Sequence, residues 1–214
     1  MYLEGDGRAR MNTLLFLGDS ITDCNHYFEP ENLGFGYVRM ISDKLNAPDH
    51  HYQVLNKGND GFTVSRVLQL WTRSCKSLQP DFLTILIGIN DLSVVKNTGK
   101  TTSVGLSEFR HTYQSLIDEI RLSTDCPILL MEPFIFSQPA EYRLWKEELQ
   151  MMSNIIRDIA SKNKLYFLPL WEMLSTTAKE KGTSALTTDG IHLTSYGHSL
   201  LADAWLQFPK NLSL

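Results

Sequence analysis

Three residue types that together perform acyl transfer occur in two polar motifs near opposite ends of this chain. Residues 16–22 read FLGDSIT, so an apolar run stops at a Gly-Asp-Ser step that ends in Ser20. Residues 187–194 read TTDGIHLT, which places Asp189 three positions before His192. A serine becomes a nucleophile when a histidine within hydrogen-bond reach takes its proton and an acid orients that histidine. The spacing of Asp189 and His192 allows one loop to hold both partners for Ser20.

Two further motifs contain the donors that such a reaction needs. They are NKGNDGFT at residues 56–63 and GIND at residues 88–91. The oxyanion of a tetrahedral intermediate is stabilised by backbone N–H groups or by amide side chains. Ser20 offers its own N–H, Gly58 has no side chain to obstruct approach to its backbone, and Asn90 offers an amide NH2 group. The sequence thus contains every group that a serine hydrolase requires.

Each motif also has a structural interpretation when it is taken alone. Gly-Asp-Ser and Asp-Gly-Ile-His are common in turns, and Asn90 with Asp91 suits a helix cap. Gly58 and Gly61 would permit a positive φ angle. The order of the four motifs at the ends of alternating elements favours a shared site instead. A phosphate-binding loop is excluded, because neither G-x-x-x-x-G-K-[ST] nor G-x-G-x-x-G occurs in the chain. We expect Asp19 to brace its turn by accepting backbone hydrogen bonds.

Strand-like and helix-like stretches alternate along the chain. The strand-like runs are Thr13–Leu17, Tyr52–Leu55, Phe82–Ile87, Pro127–Met131 and Leu165–Leu168. The amphipathic stretches are Gly36–Leu45, Val64–Ser74, Leu106–Leu122, Tyr142–Asn163 and Ser195–Phe208. Continuous apolar runs are typical of parallel strands that are buried on both faces. The alternation therefore predicts an α/β fold, a flavodoxin-like three-layer α/β/α sandwich with a five-stranded parallel sheet.

The carboxyl ends of the predicted strands carry the candidate residues. The segments Gly18–Thr22, Asn56–Gly61 and Gly88–Asp91 each follow a strand-like run. In open parallel sheets, ligands bind beyond the carboxyl ends of the strands. We therefore expect these three segments on one edge of the sheet, with the TTDGIHLT motif close to them.

Composition limits the function classes that fit the chain. Of its 214 residues, 43% are hydrophobic and 21% are charged, which is ordinary for a globular protein. The net charge of -4 gives no electrostatic basis for binding nucleic acid or an anionic membrane surface. No apolar run approaches the roughly 20 residues that span a bilayer. The odd number and the spacing of Cys24, Cys75 and Cys126 indicate free thiols, without a disulfide framework or a zinc site.

The length predicts a single domain that buries its own core. We expect residues 11–214 to form this domain, and residues 1–10 (MYLEGDGRAR) to be an artificial or disordered extension. The first ten residues lack the apolar segment of a signal peptide, so we expect a cytoplasmic protein. Association into a homo-oligomer stays open.

The motifs GDSIT, NKGNDGFT, GIND and DGIHLT together resemble the sequence blocks of the SGNH (GDSL) hydrolase superfamily, serine esterases with a flavodoxin-like fold. The resemblance covers almost the whole chain. It implies that Ser20 is the nucleophile, that His192 is the base and later the acid, and that Asp189 orients His192. It further implies an oxyanion hole formed by the Ser20 N–H, the Gly58 N–H and the Asn90 side chain. No metal or cofactor is implied.

Within the superfamily, the stretches GDSITDC, GFGYV, NKG-x-x-G-x-TV and IGIND are most similar to small intracellular acetylesterases that deacetylate xylan-derived sugars. This resemblance implies hydrolysis of acetyl or other short acyl esters of a carbohydrate or another small molecule. Ser93 departs from that group, which carries a tryptophan-containing turn there, so the contacts on the sugar side stay open. The alternatives are a lysophospholipase or thioesterase activity, and a non-catalytic flavodoxin-like binding protein.

Aromatic side chains near the motifs suit stacking on a sugar, binding of an acyl group, or ordinary packing. They are Tyr27, Phe28, Phe62 and Phe134. Of the histidines outside the DGIH motif, only His26 is close enough to Ser20 in sequence to be expected in the wall of a substrate pocket.

Overall fold

Five parallel strands form the middle layer of the computed structural model, which describes residues 11–47, 52–99 and 101–208. The strands are β1 (Asn12–Gly18), β2 (Tyr52–Gly58), β3 (Phe82–Leu86), β4 (Ile128–Met131) and β5 (Tyr166–Leu168). Their spatial order is β2-β1-β3-β4-β5, and all neighbours pair in parallel. This arrangement confirms the predicted fold class. The extension predicted at residues 1–10 lies outside the described residues.

Helices cover both faces of the sheet. They are α1 (Ser20–Asp23), α2 (Tyr37–Leu45), α3 (Val64–Leu70), α4 (Ile89–Asn97), α5 (Thr102–Arg121), α6 (Lys146–Lys162), α7 (Trp171–Lys181), α8 (Thr183–Leu186) and α9 (Ser195–Gln207). Short 3-10 or π turns lie at His26–Phe28, Trp71–Cys75, Lys76–Leu78 and Ala140–Trp145. No helix in the described ranges combines the length and the apolar character that a membrane crossing needs.

Alternate residues of each strand build two separate cores. In β1, Leu15 and Leu17 belong to a cluster with buried residues of α3, α5 and α6, whereas Leu14 and Phe16 belong to one with residues of α2 and α9. Successive side chains of a strand point to opposite faces, so a wholly apolar strand is buried on both. The four side chains are fully buried. The sheet is therefore fixed between two helical layers.

The strands appear where the apolar runs predict them, with shifted ends. The largest shift concerns β2, which continues past Leu55 and ends at Gly58. The sequence pattern predicts neither α4 nor α7. The reason is a weak apolar stripe: Leu174 is the buried residue of α7, and Ile89 and Leu92 are those of α4.

The pairing register brings three strand ends together. Gly18 of β1 pairs with Gly58 of β2 on one side and with Leu86 of β3 on the other. The helices α1 and α4 begin just beyond this edge, at Ser20 and Ile89. The expected clustering of the first three motifs at one edge is thus present.

Candidate active site

Ser20 is the first residue of α1, just beyond the carboxyl end of β1. The preceding Asp19 is the N-cap of this helix, and its Oδ1 accepts a hydrogen bond from the Ile21 N–H at 3.1 Å. The bracing role predicted for Asp19 is thereby confirmed. Asp19 is 1% exposed. Burial raises its pKa to about 7, although the Ile21 N–H acts in the opposite direction. The turn presents the Ser20 side chain while Asp19 stays inside.

The loop between α8 and α9 carries Asp189 and His192. Thr187 organises it, because its Oγ1 accepts from the Gly190 N–H at 2.9 Å and donates to the His192 carbonyl at 2.7 Å. Gly190 has a φ of 97°, and a Cβ atom there would lie 1.9 Å from the Gln138 carbonyl oxygen. Only glycine fits this position. The Thr-Thr-Asp-Gly sequence therefore closes a tight loop that holds the acid and the histidine together.

The three predicted catalytic side chains form one continuous chain of hydrogen bonds. Ser20 Oγ lies 2.9 Å from His192 Nε2, and Asp189 Oδ2 lies 2.6 Å from His192 Nδ1. Asp189 Oδ1 also accepts from the N–H groups of Ile191 and His192, at 2.9 and 2.8 Å. Partial burial acts to raise the pKa of Asp189, but the bonds from His192 and the backbone outweigh it and lower that pKa. With Nδ1 donating to the carboxylate, Nε2 is the acceptor for the Ser20 proton.

The Gly58 N–H is already bonded inside the protein. Gly58 is the buried last residue of β2, and its N–H donates to Asn56 Oδ1 at 2.9 Å. A Cβ atom at Gly58 would lie 2.3 Å from the Asp23 nitrogen and 2.6 Å from the Thr22 carbonyl carbon. Glycine is required here because α1 approaches β2 closely. The oxyanion role predicted for Gly58 therefore does not fit the structure, since a substrate would have to break a buried hydrogen bond.

The turn that follows β2 offers a different backbone donor. Gly61 is exposed, and its N–H has no hydrogen-bond partner within the described part of the chain. Both neighbours of Gly61 are held in place. The Asp60 N–H donates to Asp23 Oδ2 at 3.0 Å, and the Phe62 carbonyl accepts from Asn90 Nδ2 at 3.0 Å. The Gly61 N–H is thus the donor of this turn that stays free for a ligand.

Two of the predicted oxyanion donors also stay available. The Ser20 N–H has no partner among the described residues. Asn90 Nδ2 carries two hydrogens, and one of them goes to the Phe62 carbonyl. Asp91 holds the end of the turn, because both its carboxylate oxygens accept from the Val64 N–H, at 3.2 and 3.1 Å. Burial raises the pKa of Asp91 to about 7, against the opposing effect of that N–H.

A cavity of about 420 Å³ opens beside Ser20 and His192. Cys24 and His198 lie in its wall, and His198 Nε2 is 3.6 Å from Cys24 Sγ. The Tyr37 N–H donates to His198 Nδ1 at 3.2 Å. Burial lowers the pKa of His198 to about 4, so this histidine is neutral near pH 7. A cavity of this size accommodates a small ligand.

The aromatic residues expected around the pocket differ in exposure. Tyr27 and Phe28 are exposed, Phe62 is half-buried, and Phe134 is buried in the core and cannot touch a substrate. His26, expected in the pocket wall, is also buried and does not line the cavity. His198 occupies that wall instead, contributed from α9 by a contact that sequence distance conceals.

A second aspartate–histidine pair lies beside the site, and the sequence reasoning missed it. Asp23 Oδ1 is 2.6 Å from His26 Nδ1. The signal was present in the DCNH stretch at residues 23–26, which has the same D-x-x-H spacing as DGIH. The candidate residue Ser20 thus lies close in sequence to one such pair and within hydrogen-bond distance of the other.

Known proteins resemble this chain in sequence and in structure. Residues 16–200 match the sequence profile of the GDSL-like lipase/acylhydrolase family. An acetylxylan esterase of Geobacillus stearothermophilus is 31% identical over 204 residues, which cover 91% of this chain and 92% of the relative. These two matches establish the family.

Solved structures agree with the sequence comparison. The crystal structure of a catalytic mutant of an acetylxylan esterase from Geobacillus stearothermophilus has a TM-score of 0.79 at 29% identity, covering 92% of this chain and 93% of that chain. An α/β hydrolase enzyme from the metagenome of Lake Arreo, Spain, has a TM-score of 0.80, covers 92% of this chain and 94% of that chain, and at 23% identity supports the fold alone. The resemblance read from the motifs is confirmed: the chain belongs to the GDSL-like lipase/acylhydrolase family and is a carboxylic ester hydrolase.

Proposed function

We propose that this chain is a serine esterase that removes short acyl groups, above all acetyl, from a carbohydrate or another small molecule. The observation that carries the proposal is the hydrogen-bonded chain from Asp189 through His192 to Ser20, with contacts of 2.6 and 2.9 Å. This is the arrangement in which a serine, a base and an orienting acid perform acyl transfer. The cavity beside Ser20 provides space for the ester.

The first chemical step is acylation of Ser20. His192 Nε2 takes the hydroxyl proton as Ser20 Oγ attacks the ester carbonyl carbon, and a tetrahedral intermediate forms. The Asp189 carboxylate stabilises the imidazolium that results and keeps its Nδ1–H directed away from the substrate. The intermediate collapses when the carbon–oxygen bond to the alcohol breaks, and His192 returns its proton to the departing alcohol.

The second step is hydrolysis of the acyl-enzyme. Water enters beside His192, which removes a proton from it as the water oxygen attacks the acyl carbon. The bond to Ser20 Oγ then breaks, Ser20 recovers its proton from His192, and the free carboxylic acid leaves. The partly exposed position of His192 agrees with access for this water.

The negative charge of both tetrahedral intermediates requires hydrogen-bond donors. We assign this role to the Ser20 N–H, the Gly61 N–H and the second amide hydrogen of Asn90, which are free among the described residues. Gly61 replaces Gly58, whose N–H is bonded to Asn56. Each such donor is worth roughly 3–4 kcal/mol of transition-state stabilisation in enzymes of this mechanism.

The named relatives support an acetylated carbohydrate as the substrate. One relative is an acetylxylan esterase, and a solved structure is that of an acetyl-xylooligosaccharide esterase. Exposed Tyr27 and Phe28 follow Asn25, which lines the cavity, so their rings are available to a sugar that extends out of it.

Substitution Ser20→Ala tests the catalytic assignment with p-nitrophenyl acetate as substrate. We expect kcat to fall by at least about 10⁴-fold, because the nucleophile is lost while the fold is retained. The control is Ser107→Ala, an exposed serine on α5, which should keep wild-type activity. A fluorophosphonate probe should label the wild-type protein at Ser20 and leave Ser20→Ala unlabelled. Equal hydrolysis by wild type and Ser20→Ala would overturn the assignment.

A chain-length series tests the substrate class separately. We expect kcat/KM to decrease from p-nitrophenyl acetate through butyrate to decanoate. Release of acetate from acetylated xylobiose should be abolished by Ser20→Ala and retained by Ser107→Ala. A preference for decanoate would contradict the acetyl assignment and favour the lysophospholipase or thioesterase alternative, while leaving the role of Ser20 intact.

A further inference from the structure

A second cleft lies at the carboxyl edge of the sheet, beyond β4 and β5. Its volume is about 500 Å³, within the range of small-molecule binding sites. Glu132, the residue after β4, and Pro169, the residue after β5, both line it. Ligands of open α/β sheets bind at this edge. None of the residues that line this cleft also lines the cavity at Ser20.

The sides of the cleft are formed by α6 and α7. Residues about one or two turns apart on each helix line it, which places them on one face of that helix. They are Lys146, Gln150 and Arg157 on α6, and Trp171, Ser175 and Lys179 on α7. The two helices thus contribute cationic side chains, an amide, a hydroxyl group and an indole ring to the lining of this cleft.

The three cations of the cleft lack carboxylate partners. Within the described ranges, no acidic side chain lies within ion-pair distance of Lys146, Arg157 or Lys179. The Arg157 guanidinium lies over the Phe167 ring, 4.7 Å from its centroid, and this contact leaves its N–H groups unpaired. Three cationic groups that line one cleft without forming ion pairs are suited to an anionic ligand.

Two carboxylates also line the cleft and restrict the kind of anion. Both oxygens of Glu132 accept hydrogen bonds, from the Ser153 hydroxyl and from the Trp171 N–H, the latter at 2.9 Å. Glu172 carries the second carboxylate. These groups would repel a bare anion, but each carboxylate oxygen can accept a hydrogen bond from a ligand hydroxyl. Together with the apolar surface of Trp171, they favour a ligand that combines hydroxyl groups with one anionic group.

We propose that this cleft binds a small polyhydroxylated anion, a sugar acid or a sugar phosphate. The anionic group would lie against Lys146 and Lys179, which also line a neighbouring cavity of about 320 Å³. That cavity reaches Phe136, whose N–H donates to the Gly190 carbonyl at 2.8 Å. The site is separate from Ser20, so binding there does not depend on the esterase proposal.

Isothermal titration calorimetry on the intact protein tests the proposal with four probes. Glucuronate and glucose 6-phosphate each combine an anion with hydroxyls, glucose has only the hydroxyls, and inorganic phosphate has only the anion. We expect submillimolar binding of at least one sugar anion and at least about 10-fold weaker binding of glucose and phosphate. The stronger of the two sugar anions identifies carboxylate or phosphate as the recognised group. Weak or absent binding of both sugar anions would overturn the proposal, as would equal binding of glucose or of phosphate.

A pair of matched double variants locates the binding. Lys146→Met with Lys179→Met should weaken the sugar anion at least about 10-fold, since two charge-assisted contacts are lost. Lys162→Met with Lys181→Met removes the same charge from the same two helices outside the cleft and should change binding less than about twofold. Both variants should hydrolyse p-nitrophenyl acetate like wild type, which checks that they fold. Equal weakening in the two double variants would contradict a site in this cleft.

Discussion

Two aspartate–histidine pairs in the described part of the chain have the same sequence spacing and the same kind of hydrogen bond, yet only one of them contacts a serine within those residues. Asp189 and His192 are joined at 2.6 Å, and Asp23 and His26 are joined at 2.6 Å. The side chains of His192 and Asp189 are 48% and 49% exposed, whereas those of His26 and Asp23 are 3% and 14% exposed. His192 Nε2 faces Ser20 Oγ at 2.9 Å, while the His26 ring lies against Tyr27 with a centroid separation of 3.9 Å.

The hydrogen bond of the second carboxylate oxygen, Oδ2, differs between the two aspartates and indicates a different role for each pair. In both, Oδ1 accepts from the backbone N–H of the paired histidine. In the first pair, Asp189 Oδ2 bonds the His192 ring. In the second, Asp23 Oδ2 accepts from the Asp60 N–H and ties α1 to the turn after β2. The D-x-x-H spacing brings an aspartate and a histidine into hydrogen-bond contact. The other contacts of the pair decide whether it takes part in catalysis or stabilises the fold.

Removal of each histidine gives the largest expected contrast between the pairs. We expect His192→Ala to lower kcat/KM for p-nitrophenyl acetate by at least about 10⁴-fold, because the base that is hydrogen-bonded to the Ser20 hydroxyl is lost. His26→Ala should lower it by less than about tenfold and instead reduce the free energy of unfolding by about 2–3 kcal/mol, because a buried ring and its hydrogen bonds are lost. Steady-state kinetics and urea unfolding measure the two effects. Comparable kinetic losses in both variants would contradict the division of roles.

Exchange of each aspartate for asparagine gives the next contrast. Asp189→Asn should reduce kcat by about 10²–10⁴-fold, because the amide group stabilises the tautomer of His192 that cannot accept the Ser20 proton. In Asp23→Asn, the amide NH2 group faces either the His26 N–H or the Asp60 N–H, so two hydrogen-bond donors face each other. We expect a loss of about 1–3 kcal/mol in the free energy of unfolding and a smaller loss in kcat. A larger fall in kcat for Asp23→Asn than for Asp189→Asn would reverse the assignment.

The two aspartate–histidine pairs also show how far the sequence alone predicts the structure of this protein. The apolar runs predict all five strands, most clearly β1, β3 and β4, whose residues are almost all buried and apolar. The motif order predicts that Ser20, Asp189 and His192 share an edge, and the structure places them within hydrogen-bond distance. The pair formed by Asp23 and His26 has the same spacing, and nothing in the sequence separates the two environments.

The prediction of Gly58 instead of Gly61 as an oxyanion donor has a similar physical cause. The NKGNDG stretch contains two glycines, and the sequence does not show where β2 ends. Because the strand continues to Gly58, that glycine serves the close packing of α1, and the free N–H belongs to Gly61 in the following turn. The helices α4 and α7 escape prediction because few of their residues are buried. Strand ends and weakly amphipathic helices are set by tertiary contacts.

A third acid, Asp19, makes no hydrogen bond to a histidine within the described residues and gives a pH-dependent test. Its pKa is raised by burial to about 7 from 3.8. Between about pH 4 and pH 7 the native protein therefore holds a proton that the unfolded chain releases, so this group's contribution to stability is full at low pH and is lost as the pH rises. Asp19→Asn keeps the acceptor for the Ile21 N–H and has no such titration. Its stability relative to wild type should rise by about 2–4 kcal/mol between pH 4.5 and pH 7.5, as measured by urea unfolding. Parallel pH profiles of the two proteins would contradict the burial argument.

The smallest expected effect concerns Asp60, and it isolates what Asp23 contributes. Asp23 Oδ2 accepts from the backbone N–H of Asp60 at 3.0 Å, and the Asp60 side chain is exposed at the cavity. Asp60→Asn keeps that N–H, so kcat/KM for p-nitrophenyl acetate should stay within about twofold of wild type, and urea unfolding should change by less than about 0.5 kcal/mol. If Asp60→Asn lost as much activity as Asp23→Asn, the Asp60 carboxylate itself would act on the substrate. The pair of Asp23 and His26 would then affect catalysis through the Asp60 side chain. The distinction between its structural role and the catalytic role of Asp189 and His192 would no longer hold.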